Sequence, residues 1–146
     1  MPRKLIRIIA TATLTLILHQ ALAKEQEPDY LTKILHRTSD MEQHQLVPMR
    51  DGVGLSTDIY RPKGAKGPLP TVYIRTPYNF AKLADVELLY AVEAVKRGYA
   101  FVIQNERGRY YSEGKFQILG YPQTDGYDAL SWIYMEIGRA SCRERV

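Results

Sequence analysis

Two runs, TVYIRTPY from Thr71 and AFVIQNERG from Ala100, bracket the segment DVELLYAVEAVKRGY, and this arrangement restricts the fold more than any other part of the chain. The first run is β-branched and aromatic with no polar interruption before Arg75, which predicts a strand buried on both faces. The second reads as another buried strand. Between them Val86, Leu89, Tyr90, Val92, Ala94 and Val95 recur near helical spacing, and Gly98 supplies a C-terminal stop. Strand, helix and strand within this length form a βαβ unit, hence a parallel pair in an α/β fold.

The flanks add an antiparallel beginning. HQLVPMRDGVGLSTDIYRP alternates in the strand sense on both sides of Arg50-Asp51-Gly52, and Asp-Gly between alternating runs is the strongest short-range hairpin cue. Pro48 then needs an edge or bulge position. KGAKGPLP is a loop. Upstream, Lys24 to Asp40 is polar, with Tyr30, Leu31, Ile34 and Leu35 spaced for a short helix or ordered lead-in. Downstream, GRYYSEGKFQILGYPQTDG is a long Gly- and Tyr-rich loop, and DGYDALSWIYM begins an amphipathic helix with Asp125 as its expected N-cap.

Both termini read as something other than domain. Arg3, Lys4 and Arg7 precede an apolar run from Ile8 to Leu18, and Ala21-Leu22-Ala23 precedes Lys24, the three parts of a secretory signal. Cleavage after Ala23 and a secreted or periplasmic location are the expectation, with no membrane association afterwards. Ile137 to Val146 back-translates in one frame to a common short-read sequencing adapter followed by its stop, so a non-native tail is expected at 137–146. With these ends set aside, 14 basic and 15 acidic residues remain between 24 and 136, and the overall +4 charge comes from the ends. No clustered basic face is left for nucleic acid. The single cysteine, Cys142, falls in the tail, so residues 24–136 carry neither a disulfide nor a thiol nucleophile.

From Gln45 to Ile133 the chain resembles the CocE/NonD hydrolases, the group of the cocaine esterase, α-amino acid ester hydrolase and Xaa-Pro dipeptidyl-peptidase types. The resemblance rests on VPMRDGVGLSTDIYRPKG, RTPYNF, RGYAFVIQNERGRYYSEGKF and TDGYDALSWI, in the family's order. It implies an α/β-hydrolase core with a serine nucleophile and no cofactor or metal. The implied organisation is a signal at 1–23, a polar lead-in at 24–42, the N-terminal part of the hydrolase domain at 43–136, and the tail.

The family's nucleophile sits in a GxSYxG elbow beyond the helix matching DGYDALSWI, and no GxSxG occurs in this sequence. Ser141, in GRASC, lacks the second glycine and a preceding strand, and is not expected to be catalytic. The acid and histidine follow the serine in this fold, which leaves His19 in the signal and His36 and His44 as surface or hairpin residues. One catalytic element remains: Tyr78 of RTPYNF matches the tyrosine whose phenol, with a backbone N–H after the nucleophile, forms the oxyanion hole. A phenol keeps its proton at neutral pH and can donate to a developing alkoxide. Asn79 stands at a substrate-facing position where α-amino acid ester hydrolases often carry an acidic residue, and its neutral amide weakens that substrate assignment. Many relatives read Q-D-x-R-G where this chain has Asn105 and Glu106. Arg107, Gly108, Ser112, Glu113 and Gly114 are expected to fix the loop, and Arg75 to play a similar anchoring part.

The expectation is therefore the front of an exported serine hydrolase that cleaves a small ester or amide, or a short peptide, through an acyl-enzyme. The 146 residues alone are expected to be inactive. A non-catalytic binding or scaffold protein is the alternative, and an Xaa-Pro dipeptidyl peptidase is the runner-up among enzymes.

Overall fold

The computed structural model describes residues 30–80, 85–117 and 122–138. The expected leader at 1–23, His19, Ser141 and the tail from residue 139 lie outside them. The described residues from Leu31 onward hold the sheet.

The elements run α1 (Tyr30–Thr38), β1 (Ser39–Pro48), β2 (Gly54–Pro62), β3 (Thr71–Thr76), α2 (Asp85–Lys96), β4 (Ala100–Asn105) and α3 (Pro122–Glu136). The strands form one sheet in the order β1-β2-β4-β3. β1 pairs antiparallel with β2, β2 antiparallel with β4, and β3 parallel with β4. The parallel pair and the antiparallel opening both match the sequence expectation. Pro48 ends β1, a strand at the sheet margin, where its missing N–H breaks no ladder. In the hairpin turn Met49 N–H donates to Val53 O at 2.9 Å, and Gly52 takes the left-handed φ of 82° that closes it.

Alternation along the strands divides the core between two faces. Phe101 and Ile103 of β4 pack with Tyr60, with Leu35 of α1, and with Leu88, Ala91, Val92 and Val95 of α2. Ala100 and Val102 point the other way, onto Ile59, Ile133 and Ile137, and Trp132 and Tyr73 continue that face towards Val47, Met49, Leu55 and Ala129. Ile137, the first residue of the expected tail, is thus buried, and its carbonyl accepts the Leu69 N–H. Complete burial of side chains such as Phe101 and Ile103 contributes about 1.5–3 kcal/mol each before entropy is counted.

Three sequence expectations need correction. β3 is not buried on both faces: Val72 is exposed and its neighbours are half-buried, whereas all six residues of β4 are buried. β4 has a strand on each side, while β3 has one on a single side among the described residues. In α2, Val92, Ala94 and Val95 are buried as expected, but Val86, Leu89 and Tyr90 face outward, and Leu88 and Ala91 complete the buried face. Asp125 is not the N-cap of α3, because the helix starts at Pro122, a residue suited to a first helical position, and Asp125 falls in the first turn.

β1 carries a bulge between Glu42 and Gln45, with His44 at a φ of 55°. Its N–H donates to Asp58 Oδ1 at 2.8 Å, and its Nδ1 lies 3.8 Å from the same oxygen. Asp58 is fully buried, and burial raises its pKa above the ordinary carboxylate range against the favourable contacts from His44. Folded protein therefore binds more protons than unfolded chain between the ordinary and the raised values, so stability falls as pH rises through that interval. Asp58→Asn keeps the acceptor for His44 N–H and is expected to flatten this fall. The check is the urea midpoint of both proteins across mildly acidic to neutral pH; parallel profiles would contradict it.

Candidate active site

Because β3 and β4 run parallel, their carboxyl ends lie side by side, with Thr76 opposite Asn105. β3 exits into Pro77–Phe80, and the buried Phe80 anchors the far side of this turn in the α2 core. The backbone between is held from β4 and the loop after it. Glu106 N–H donates to Thr76 O at 3.0 Å, Arg109 Nε to Pro77 O at 2.9 Å, and Asn105 Nδ2 to Tyr78 O at 2.8 Å. The Tyr78 N–H donates to Thr76 Oγ1 at 3.1 Å. Against this tethered backbone the Tyr78 side chain is 73% exposed, and Asn79 beside it is exposed too. Carboxyl edges of α/β sheets are where ligands bind.

The loop after β4 is folded back over the hairpin. Arg107 reaches two carboxylates at once: Nη1 and Nη2 lie 2.7 and 3.2 Å from Asp51 of the hairpin turn, and Nε and Nη2 lie 3.1 and 2.7 Å from Asp125 of α3. Planar guanidinium geometry suits such paired contacts. Hydrogen bonds from the Arg107 guanidinium hold the Asp51 carboxyl below its ordinary range, and the two carboxylates raise Arg107 in turn. Ser112 Oγ accepts the Ser56 N–H at 2.8 Å and donates to Asn105 O at 3.0 Å, while Glu113 Oε2 accepts the Gly54 N–H at 2.8 Å. Glycine is required at two points. A Cβ on Gly108 would meet Phe116 N at 2.2 Å, and one on Gly114 would meet Arg107 Cγ at 2.8 Å, both at positive φ.

The loop network expected of Arg107, Gly108, Ser112, Glu113 and Gly114 thus forms. Arg75 does not join it: its Nη1 is buried without a hydrogen-bond partner, beside Gly126. The anchoring part expected of Arg75 falls instead to Arg109, whose guanidinium also lies over Phe116 at 4.6 Å. No sequence signal separates Arg109 from any other loop arginine. The Asn105 amide supplies N–H donors that a carboxylate at this position would lack. Neighbouring Tyr73 donates its hydroxyl to Gln104 Oε1 at 2.7 Å, and burial pushes its pKa up to about 12. His36 and His44 remain exposed to differing degrees on α1 and β1. Among the described residues, no group of three or more His, Cys, Asp or Glu could hold a metal, and no helix is long and apolar enough to cross a membrane.

The family model of the X-Pro dipeptidyl-peptidase (S15 family) matches residues 51–146. The chain belongs to this family. Within it the likeness is to CocE/NonD hydrolases: cocaine esterase from Rhodococcus sp. (strain MB1 Bresler) is 46% identical over 90 residues, covering 60% of this chain and 16% of that protein. A solved α-amino acid ester hydrolase superposes with a TM-score of 0.57 at 32% identity, over 68% of this chain and 19% of the other. An aminopeptidase from a marine sediment Thaumarchaeota archaeon gives 0.57 at 28% identity, over 77% and 21%. A CocE/NonD family hydrolase from Staphylococcus aureus shares the fold at 22% identity and a TM-score of 0.56, over 68% and 21%. The fold is that of the α/β-hydrolases, and this S15-family chain spans about a fifth or less of each relative's length.

The two ion pairs of α3 differ in environment. Asp125 is buried with Arg107, whereas Arg50, which pairs with Asp128 at 2.7 Å, is more than half exposed. Asp125→Asn is expected to destabilise the protein by about 1–3 kcal/mol, because it weakens a buried charge-assisted contact while Asp51 still pairs with the guanidinium. Asp128→Asn should cost far less, since solvent screens that pair. Urea midpoints of the two variants provide the check, and equal losses would refute the ranking.

Proposed function

We propose that the protein containing this chain is an exported serine hydrolase that cleaves a small ester or amide through an acyl-enzyme, with Tyr78 as a donor to the oxyanion. The observation that carries the reading is the exposed phenol on a tethered backbone at the carboxyl edge of the parallel pair, in a chain of the S15 family. The nucleophilic serine, its histidine base and the acid are proposed to lie outside these 146 residues. In the reaction the serine Oγ attacks the carbonyl carbon as the base takes its proton, and the carbonyl electron pair moves onto oxygen. The Tyr78 O–H donates to that oxygen together with a backbone N–H. Collapse expels the alcohol or amine, which leaves with the proton, and water then releases the acid by the same steps.

An ester is favoured over an Xaa-Pro peptide by the esterase and ester hydrolase among the relatives, while the neutral Asn79, where α-amino acid ester hydrolases often carry a carboxylate, weakens an ester whose acyl part bears an ammonium. In the full-length enzyme Tyr78→Phe is expected to lower kcat about 100-fold or more with little change in KM, since the hydrogen bond strengthens only as charge develops. The 146-residue chain serves as the inactive control. An unchanged kcat in a well-folded variant would rule Tyr78 out.

Export is proposed from the basic, apolar and Ala21-Leu22-Ala23 segments of the leader. Secreted material should begin at Lys24, and N-terminal sequencing that returns Met1 from a membrane fraction would oppose it.

A further inference from the structure

Three consecutive carbonyls, those of Thr76, Pro77 and Tyr78, are all occupied by donors from the end of β4 and the loop that follows. Two of them share one side chain. Asn105 Nδ2 lies 2.8 Å from Tyr78 O and 3.4 Å from Thr76 O, so a single amide spans the turn on both sides of Pro77. Asn105 is 1% exposed, and its own carbonyl accepts the Ser112 hydroxyl, whose oxygen in turn accepts the Ser56 N–H. The backbone that carries the donor to Tyr78 is therefore tied to β2 through Ser112. Arg109 closes the turn from the outside, its Nε on Pro77 O and its guanidinium over Phe116 and Tyr110.

The Tyr78 ring itself stands in solvent, so packing does little to restrain it. Where the ring is rooted, and so the set of rotamers from which it can reach a substrate, is set by where its backbone is held. We propose that Asn105 is a positioning residue for the reaction: it fixes the Tyr78 carbonyl, and through it the point on the turn from which the phenol projects, before substrate arrives. The inference rests on the assignment of Tyr78 as an oxyanion donor. Its physical basis is that hydrogen-bond donors aid catalysis when they are already aligned with the developing charge, and a displacement of about 1 Å can cost on the order of 100-fold in rate.

The test is a double-mutant cycle in the full-length enzyme on one ester, with Asn105→Leu, Tyr78→Phe and the pair. Leucine is close to asparagine in shape and removes both N–H donors. Asn105→Leu is expected to lower kcat at least about 10-fold while KM stays within about twofold, the signature of an interaction made in the transition state. In the Tyr78→Phe background the same substitution should cause less than about a twofold further loss, because the group it positions is gone. Losses that multiply fully in the double variant would show that Asn105 acts independently of Tyr78 and would overturn the proposal. A Tyr78→Phe variant with wild-type kcat would instead overturn the Tyr78 assignment, a separately visible failure. Circular dichroism and the thermal midpoint establish that each variant is folded. Should Asn105→Leu fail to fold, Arg109→Met takes its place in the cycle, since it removes the half-exposed donor to Pro77 O and keeps an apolar stem against Phe116. A loss that vanishes in the Tyr78→Phe background then supports the positioning of the turn, and a loss that multiplies overturns it.

Discussion

One guanidinium joins three segments that lie far apart in the chain. Arg107 lies just after β4, Asp51 sits in the hairpin turn, and Asp125 sits in the first turn of α3. Hydrophobic burial fixes how α3 lies on the sheet face, but it is non-directional and would tolerate a helix sliding along its axis. The paired contacts of Arg107 do not tolerate that, since both carboxylates must meet the edges of one rigid plane. They thereby set where α3 begins relative to the hairpin, and they draw the loop after β4 tightly over the carboxyl edge of the sheet.

That loop then serves as the frame for the candidate site. Its glycines admit the close approach of Phe116 to Gly108 and of Arg107 to Gly114, and Ser112 and Glu113 replace the strand that β2 lacks at that point. Most of the contacts it makes with the turn after β3 go to backbone carbonyls. Such contacts constrain the path of a loop without dictating its side chains, so a family can vary what projects from the turn while keeping the turn itself. The exposed Tyr78 and Asn79 are the projecting residues here.

The differences between sequence expectation and structure share one cause. Composition makes TVYIRT resemble a central strand, whereas among the described residues it has a neighbour on one side only. Helical spacing in α2 is legible and its later part, Val92, Ala94 and Val95, is buried as read, but in the first turns Leu88 and Ala91 meet the core in place of the equally available apolar Val86 and Leu89. Asp125 has the chemistry of a cap, and only the placement of Arg107 makes it an ion-pair partner within the helix. In each case local preference is compatible with two outcomes and the neighbours select one.

The sequence by itself determined the α/β class, the hairpin opening on Asp-Gly, the parallel βαβ unit and the glycine-dependent loop, because periodicity, turn chemistry and steric permission are written in adjacent residues. Family resemblance singled out Tyr78 in the same way, through a contiguous motif. What the tertiary structure decided is how Tyr78 is held. Asn105 and Arg109 meet the turn after β3 from roughly thirty positions away, and neither residue carries a local signal of that contact. Hydrogen bonds between distant segments depend on strand order and on the direction in which each side chain leaves the sheet, and both are properties of the folded chain alone.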